Sequence, residues 1–231
     1  MNINRTSERR LYQQVADQIR GLIQNGHFSV GSRLPAERDL AQQLGVSRPS
    51  LREALIALEI DGTVEIRMGS GIYVTATVER RTPSQAATGE SAVELMEARA
   101  TVEAAVIGLA GARFTTASLR GLRLTLEAMR ADIEEGRKPL EHDRQFHLAI
   151  AARTGNSVIV RLVGELFDER HSPISSRFRA RFDTPETWRD ALAEHEAILA
   201  ALEARDVPLA QMRMHAHLEE SKRRWTESEP R

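Results

Sequence analysis

The chain has 231 residues, of which 41% are hydrophobic and 28% are charged, a composition typical of a globular protein and not of a disordered one. It contains no cysteine, which excludes disulfides and thiolate metal sites, so any bound metal must use imidazole, carboxylate or water ligands. No apolar run approaches the ~20 residues needed to span a bilayer, and the polar first residues lack the apolar core of an export signal. We therefore expect a cytoplasmic protein without a membrane partner.

The net charge of −1 does not identify a partner. Residues 1–75 hold nine arginines against eight acidic residues, so this part of the chain is also close to neutral. A nucleic-acid-binding function must therefore depend on a local basic face and not on a basic total, because phosphate contacts are local.

Three helices and a hairpin are predicted at the N-terminus. Apolar residues at helical spacing predict a first helix over residues ~10–25. Pro35 opens a short second helix, and the turn Gly45–Ser47 leads into a third helix that Ser47 can cap and that ends near Gly62. Two alternating strands follow, separated by a small turn. The first helix carries Leu11, Val15, Ile19, Leu22 and Ile23, the strands are 64–67 and 72–74, and the turn is 68–71.

The remainder of the chain predicts an all-helical domain. Residues 76–90 are rich in Arg, Thr, Ser and Ala and are interpreted as a linker between a DNA-binding domain over residues 1–75 and a helical domain over residues 91–225. Ser91–Glu94 has the pattern of a capping box, and residues 226–231 form a tail. The first two helical stripes are Leu95, Val102, Val106 and Leu109, then Leu119, Leu122, Leu126, Met129 and Ile133. Later helices are predicted over ~140–153, ~157–180, ~185–204 and ~206–225, with no strand.

The turn between two short helices is typical of a helix-turn-helix. Arg48 and Arg52 lie one turn apart at the predicted exposed start of the second of these helices, where guanidinium groups can reach guanine or phosphate in the major groove. Arg38 on the preceding helix can reach a phosphate or a base edge, and Ser47 and Ser50 can donate to phosphates. The alternative is that these arginines belong to an ordinary solvated helix face.

The sequence Leu34–Ala41, followed by Gly45–Arg48 and Leu51–Leu55, closely resembles the GntR family of regulators, and 69–74 resembles that family's wing. The resemblance implies a winged helix-turn-helix whose operator contacts are made by Arg38, Arg48 and Arg52 and by the turn residues Met68 and Gly69.

Polar residues on inward faces mark the second domain. Asp143 and His147 are spaced i, i+4 and share a helix face with Phe146 and Ile150. His195 lies within an apolar stripe, and His217 follows Met214 by one turn. One carboxylate and three imidazoles inside a helical bundle can form a divalent-metal site. Alternatively, each inward histidine is a hydrogen-bonded core residue and Asp143–His147 a simple side-chain pair.

The motifs around Glu97–Glu103, Asp143–Ile150, Thr154–Asn156, Glu194–Ile198 and Met214–Glu219 resemble the C-terminal domain of the FadR subfamily of GntR regulators. Many members bind a metal through one Asp and three His, which implies Asp143, His147, His195 and His217 as ligands of Zn²⁺, Ni²⁺ or Mn²⁺. Family members often use an arginine at the position of Arg99 for the effector. Arg99 with Glu103 is therefore expected in effector binding, with a structural ion pair between them as the alternative.

The leading hypothesis is a homodimeric, ligand-controlled regulator, expected to be a repressor, that binds double-stranded operator DNA. The resemblance implies a small organic acid as effector, with a sugar acid such as a hexuronate or galactonate first and lactate or a dicarboxylate second. A metal sensor without an organic effector is one alternative. A metal-dependent hydrolase or isomerase is the other, and it is disfavoured because no general base appears at a suggestive spacing.

Overall fold

The computed structural model describes residues 11–67, 69–75, 90–169, 172–180 and 183–227. Within these ranges the fold is mainly α-helical, with one antiparallel hairpin, as predicted. The N-terminal elements are α1 Leu11–Gln24, α2 Glu37–Leu44, α3 Arg48–Ile60, β1 Val64–Arg67 and β2 Gly71–Val74. The C-terminal helices are α4 Ala92–Ala110, α5 Thr116–Glu134, α6 Leu140–Ala152, α7 Ser157–Asp168, α8 Pro173–Ala180, α9 Pro185–Glu203 and α10 Val207–Glu227.

The described residues form two compact units. The first contains the residues up to 92 and also 172–178, and the second contains 93–169, 179–180 and 183–227. Within the described ranges, no helix combines the length and the apolar character needed to cross a membrane. Of the predicted linker over 76–90, only Glu90 lies within the described residues.

In the first unit, α1 and α2 pack against α3, and β1 also contacts α3. The predicted apolar stripes supply most of the core, but Leu11 is exposed and Leu22 is only half-buried. The hairpin pairs Val64 with Val74 and Ile66 with Ile72. The chain just before α2 also pairs with β2, because the Leu34 N–H donates to the Ile72 carbonyl at 2.8 Å. This short addition to the sheet edge was not predicted from the sequence.

Local backbone chemistry fixes the turn between α2 and α3. Gly45 ends α2 in the left-handed conformation, with φ of 68°, which a residue without a Cβ adopts at little cost. The Val46 N–H then donates to the Ala41 carbonyl at 3.0 Å. Ser47 Oγ accepts from the Ser50 N–H at 3.3 Å, which confirms the predicted cap of α3.

In the second unit, α5 packs against α6 and α9, α6 packs against α7, and α9 packs against α10. All five residues of the predicted α5 stripe are buried. The stripe predicted for α4 is wrong in one position, because Leu109 is 60% exposed. Helix α4 carries apolar residues on more than one face, so spacing alone does not identify the buried one.

The single helix predicted over residues 157–180 is also wrong. The structure has two helices, α7 and α8, and the second begins at Pro173. Proline lacks an N–H and fits the first turn of a helix, where that donor has no partner, so it marks a helix start here.

Candidate metal centre and DNA-binding surface

The candidate metal centre lies in the second unit, where α6, α9 and α10 supply its side chains. Helix α6 presents Asp143 and His147 one turn apart, and α9 and α10 present His195 and His217. All three imidazoles are buried, and Asp143 is half-buried. The structure thus brings together the four residues that the sequence singled out as metal ligands.

The ligand atoms of these four residues all lie within 4.8 Å of one another. The Nε2 atoms of His147 and His195 are 3.2 Å apart. Oδ1 of Asp143 is 3.4 Å from Nε2 of His147 and 3.3 Å from Nε2 of His195. Zn–N bonds of about 2.0–2.1 Å in tetrahedral geometry place neighbouring ligand atoms about 3.3 Å apart. Three imidazoles and one carboxylate at this spacing therefore fit a divalent cation.

Glu103 on α4 connects this cluster to Arg99. Its Oε2 accepts a short hydrogen bond from Nδ1 of His147, and its Oε1 accepts from Nε of Arg99 at 2.7 Å. Both residues of the Arg99–Glu103 pair are buried. The ion pair that the sequence left as an alternative therefore exists, and the carboxylate also touches a member of the metal cluster.

A second carboxylate, Glu194 on α9, accepts a hydrogen bond from another member of the cluster, His217. Its Oε2 accepts from Nδ1 of His217 at 2.7 Å, and its Oε1 accepts from Nη1 of Arg224 at 2.6 Å. Sequence reasoning missed both Glu194 and Arg224 as site residues. Their pairing joins two helices, so no local spacing signals it, although Glu194 directly precedes His195.

Burial and neighbouring charges shift the pKa values of the cluster. Burial lowers the pKa of His195 well below its usual value, and the adjacent His217 adds to this effect. Burial also lowers the pKa of His217, against the opposing hydrogen bond to Glu194. Burial acts in the same direction on His147, but the attraction of Glu103 outweighs it and raises that pKa. The lowered pKa values of His195 and His217 favour the neutral imidazole, the form that binds a metal.

Two buried nitrogen atoms, one in the cluster and one beside it, have no hydrogen-bond partner within the described residues. They are Nη2 of Arg99 and Nδ1 of His195. The Arg99 guanidinium also lies over the Phe167 ring, 4.8 Å from its centroid. Because a buried donor without a partner is costly, these atoms are places where an acceptor group of a ligand can bind.

The predicted DNA-binding residues lie in the first unit. The Arg38 side chain on α2 is 84% exposed, and Ser47 at the start of α3 is also exposed. Arg48 and Ser50 are half-buried. Gly69 in the turn of the hairpin is exposed, and its predicted neighbour Met68 lies outside the described residues.

Arg52 is not exposed at the start of α3, which corrects the expectation from its spacing to Arg48. Its side chain is only 7% exposed, and its Nε donates to Oε2 of Glu37 at 2.6 Å. Helix α3 is buried from Leu51 to Leu58, and the hydrogen bond to Glu37 shows that the Arg52 side chain extends towards α2. Arg52 therefore connects the two helices of the predicted helix-turn-helix.

Comparison with known proteins identifies both parts of the chain. Residues 11–74 match the profile "Bacterial regulatory proteins, gntR family", and residues 94–220 match the profile "FCD domain". The chain belongs to the GntR family. The presence of an FCD domain places it in the FadR-like subfamily, as the sequence motifs predicted.

Two relatives from Escherichia coli (strain K12) match this GntR protein along almost its whole length. The Exu regulon transcriptional regulator is 35% identical over 94% of this chain and 85% of its own length. The Uxu operon transcriptional regulator is 34% identical over 96% of this chain and 89% of its own length. These relatives establish that the chain is a DNA-binding transcriptional regulator and not an enzyme.

Solved structures share the fold at lower sequence identity. A structure titled "Lar controls the expression of the Listeria monocytogenes agr system and mediates virulence" has a TM-score of 0.53 at 22% identity, covering 95% of this chain and 98% of that one. E. coli McbR/YncC has a TM-score of 0.51 at 23% identity, covering 92% of this chain and 95% of its own.

Arg177 belongs to the first unit, where its Nε donates to Oε2 of Glu59 at 3.1 Å. Trp188 is in the second unit, and its ring N–H donates to Asp183. Neither contact involves the four residues of the candidate metal centre.

Proposed function

We propose that this GntR regulator is a repressor that releases operator DNA when a small organic acid binds beside a metal ion in its FCD domain. The observation that carries the proposal is the convergence of Asp143, His147, His195 and His217 within 4.8 Å, next to a buried arginine with an unpartnered nitrogen. A site of this kind combines a cation and a guanidinium, both of which bind carboxylates.

The metal would be held by Asp143 and the three histidines, and Zn²⁺, Ni²⁺ and Mn²⁺ are all compatible with this ligand set. When bound, the ion supplies positive charge and open coordination positions for an acid. Its ligands come from three helices, so binding also ties α6, α9 and α10 together.

Arg99 is proposed as the effector-binding residue. Glu103 occupies its Nε, while Nη2 remains available for a ligand carboxylate in the buried interior. Glu103 was predicted to share this role, but its two oxygens bind Arg99 and His147, which favours a supporting role. A hexuronate or galactonate is the first candidate effector. The relative named "Putative L-lactate dehydrogenase operon regulatory protein", at 32% identity, supports L-lactate as the second.

DNA recognition is proposed to use Arg38, Arg48 and the turn of the wing, with Ser47 and Ser50 donating to phosphates. Arg52 would contribute by holding α3 against α2. Direct contact of Met68 with DNA is also proposed, and direct contact of Arg52 with DNA is the alternative to its structural role. We propose that the protein is cytoplasmic and forms a homodimer. A homodimer is expected because binding two DNA half-sites multiplies both affinity and specificity. In each subunit, residues 1–75 would form the DNA-binding domain and residues 91–225 the effector domain.

The test is operator affinity measured on one DNA fragment with metal-free protein, with Zn²⁺ alone, and with Zn²⁺ plus a hexuronate, galactonate or L-lactate. We expect Zn²⁺ alone to preserve binding and one acid to weaken it at least tenfold. Release by Zn²⁺ alone would support a metal sensor without an organic effector, for which the same cluster is sufficient. Operator binding unaffected by metal and by every acid would contradict the proposal.

A further inference from the structure

Two carboxylates outside the four-residue cluster each bind one of its histidines at the same ring atom. Glu103 accepts from Nδ1 of His147, and Glu194 accepts from Nδ1 of His217. The two carboxylates come from different helices, α4 and α9. The same relationship is therefore built twice, on two different members of the site.

Each carboxylate is also held by an arginine, at Glu103 through the other oxygen and at Glu194 through both oxygens. Oε1 of Glu103 accepts from Arg99, and Oε1 of Glu194 accepts from Arg224. An ion pair alone does not require the second oxygen to meet an imidazole. The arrangement in both places is arginine, carboxylate and histidine in that order, with the histidine innermost.

A hydrogen bond at Nδ1 determines which nitrogen of a neutral imidazole carries the proton. An acceptor at Nδ1 keeps the proton there and leaves the lone pair on Nε2. In His147, Nε2 is the atom that faces Asp143 and His195. In the neutral ring, the form that metal binding requires, the carboxylate thus directs the lone pair of Nε2 towards the centre of the cluster.

We infer that Glu103 and Glu194 are positioning residues, which fix the rings and tautomers of His147 and His217 so that both Nε2 atoms face one metal ion. The inference rests on the proposed metal site and adds the residues that shape it. Partners of this kind are common in metal sites, and their loss typically weakens metal binding 10–100-fold. His195 has no such partner at Nδ1 within the described part of the chain.

Glu194 is the better position for a test. The Glu103 side chain is 3% exposed, and removing it leaves the buried Arg99 without its carboxylate, which also lowers stability. The Glu194 side chain is 25% exposed, and its arginine partner is partly solvated. Substitution there therefore changes the hydrogen bond to His217 with less effect on the fold.

The experiment compares the native chain with Glu194→Ala, Glu194→Gln and a control, Glu220→Ala, which removes a carboxylate that is 43% exposed and pairs with Arg223 on the same helix. Zn²⁺ affinity is measured by competition with a chromophoric chelator. We expect a 10–100-fold loss for Glu194→Ala and no change for the control. Glu194→Gln should be intermediate, because its amide oxygen still accepts a hydrogen bond but carries no charge.

Nitrogen NMR of the imidazole rings in the metal-free proteins supplies a readout that a general loss of stability does not mimic. His217 should carry its proton on Nδ1 in the native chain and in the control, and should lose this preference in Glu194→Ala. If Glu194→Ala does not fold, Glu194→Gln carries the Zn²⁺ measurement, and a Zn²⁺ affinity equal to that of the native chain then overturns the positioning role.

The outcomes separate the two proposals. A native chain that binds no Zn²⁺ overturns the metal site and with it the positioning role. A native chain and a Glu194→Ala variant with equal Zn²⁺ affinities overturn the positioning role alone, as does an unchanged His217 tautomer.

Discussion

Nε of Arg52 on α3 donates a 2.6 Å hydrogen bond to Oε2 of Glu37, the first residue of α2. The pair is largely buried and joins the two helices on which DNA recognition is proposed to depend. Loss of a partly buried, charge-assisted contact costs about 1–3 kcal/mol, because the remaining partner is left without its counter-charge.

Replacing Arg52 with alanine is therefore expected to destabilise the DNA-binding unit by about 1–3 kcal/mol, measured by urea unfolding. Operator affinity should fall with it. The matched control is Arg161→Ala, which breaks an exposed pair with Glu165 and should have little effect on either quantity. A variant of normal stability that has lost DNA binding would instead place Arg52 in direct contact with DNA.

Arg38 should behave in the opposite way. Its side chain is 84% exposed, and its interaction with Asp39 spans 3.6 Å, so Arg38→Ala should leave the unfolding free energy almost unchanged. If it contacts a phosphate, operator affinity should fall and the slope of log affinity against log salt should decrease by about 1. Fluorescence anisotropy at several salt concentrations measures both. Unchanged affinity at every salt concentration would show that Arg38 does not face the DNA.

Much of the fold follows from local signals that the sequence contains. The stripe of α5, the cap at Ser47 and the alternation of the hairpin each depend on residues a few positions apart, and the structure confirms them. Inward-facing polar residues also indicated the four-residue cluster of the candidate metal centre, because Asp143 and His147 lie on the same face as Phe146.

Contacts between distant segments were not predictable in the same way. The burial of Arg52 depends on the placement of α2, and the Glu194–His217 hydrogen bond depends on how α9 meets α10. The exposure of Leu109 likewise depends on which face of α4 the bundle covers. The spacing of hydrophobic residues along the sequence does not determine these tertiary contacts.

Metal removal should lower the thermal stability of the FCD domain. An ion that binds only the folded state stabilises it by mass action, by about 2.7 kcal/mol at 100 times its dissociation constant. His195→Ala should abolish the Zn²⁺-dependent rise in melting temperature. His142→Ala is the control, because that histidine pairs with Asp132 and lies outside the cluster. The Zn²⁺-dependent rise in melting temperature should therefore persist in this variant. A similar response in both variants would contradict the assigned ligand set.

Arg99→Lys should distinguish a carboxylate-binding arginine from a purely structural one. Lysine keeps the charge opposite Glu103 but loses the planar fork that binds a carboxylate through two nitrogens. We expect at least a tenfold weaker response to the acid effector, measured by calorimetry, with Zn²⁺ binding retained. An effector affinity equal to that of the native chain would assign Arg99 to the ion pair alone.

The unfolding free energy at acid pH should depend on the charge of Glu103. Burial alone would raise its pKa, but the attractions of Arg99 and His147 outweigh this and lower it from 4.5 to about 2. Because the folded-state pKa is the lower one, the stabilisation by this carboxylate is complete above pH 4.5 and is lost as the pH falls towards about 2. In metal-free protein, the native chain should therefore exceed Glu103→Gln in unfolding free energy near neutral pH, and this advantage should shrink as the solution is acidified below pH 4.5. Urea titrations across this range measure the difference, with Glu165→Gln as an exposed control that should follow the native curve. A constant difference between the native chain and Glu103→Gln at every pH would mean that the Glu103 carboxylate is not held in its charged form by Arg99 and His147.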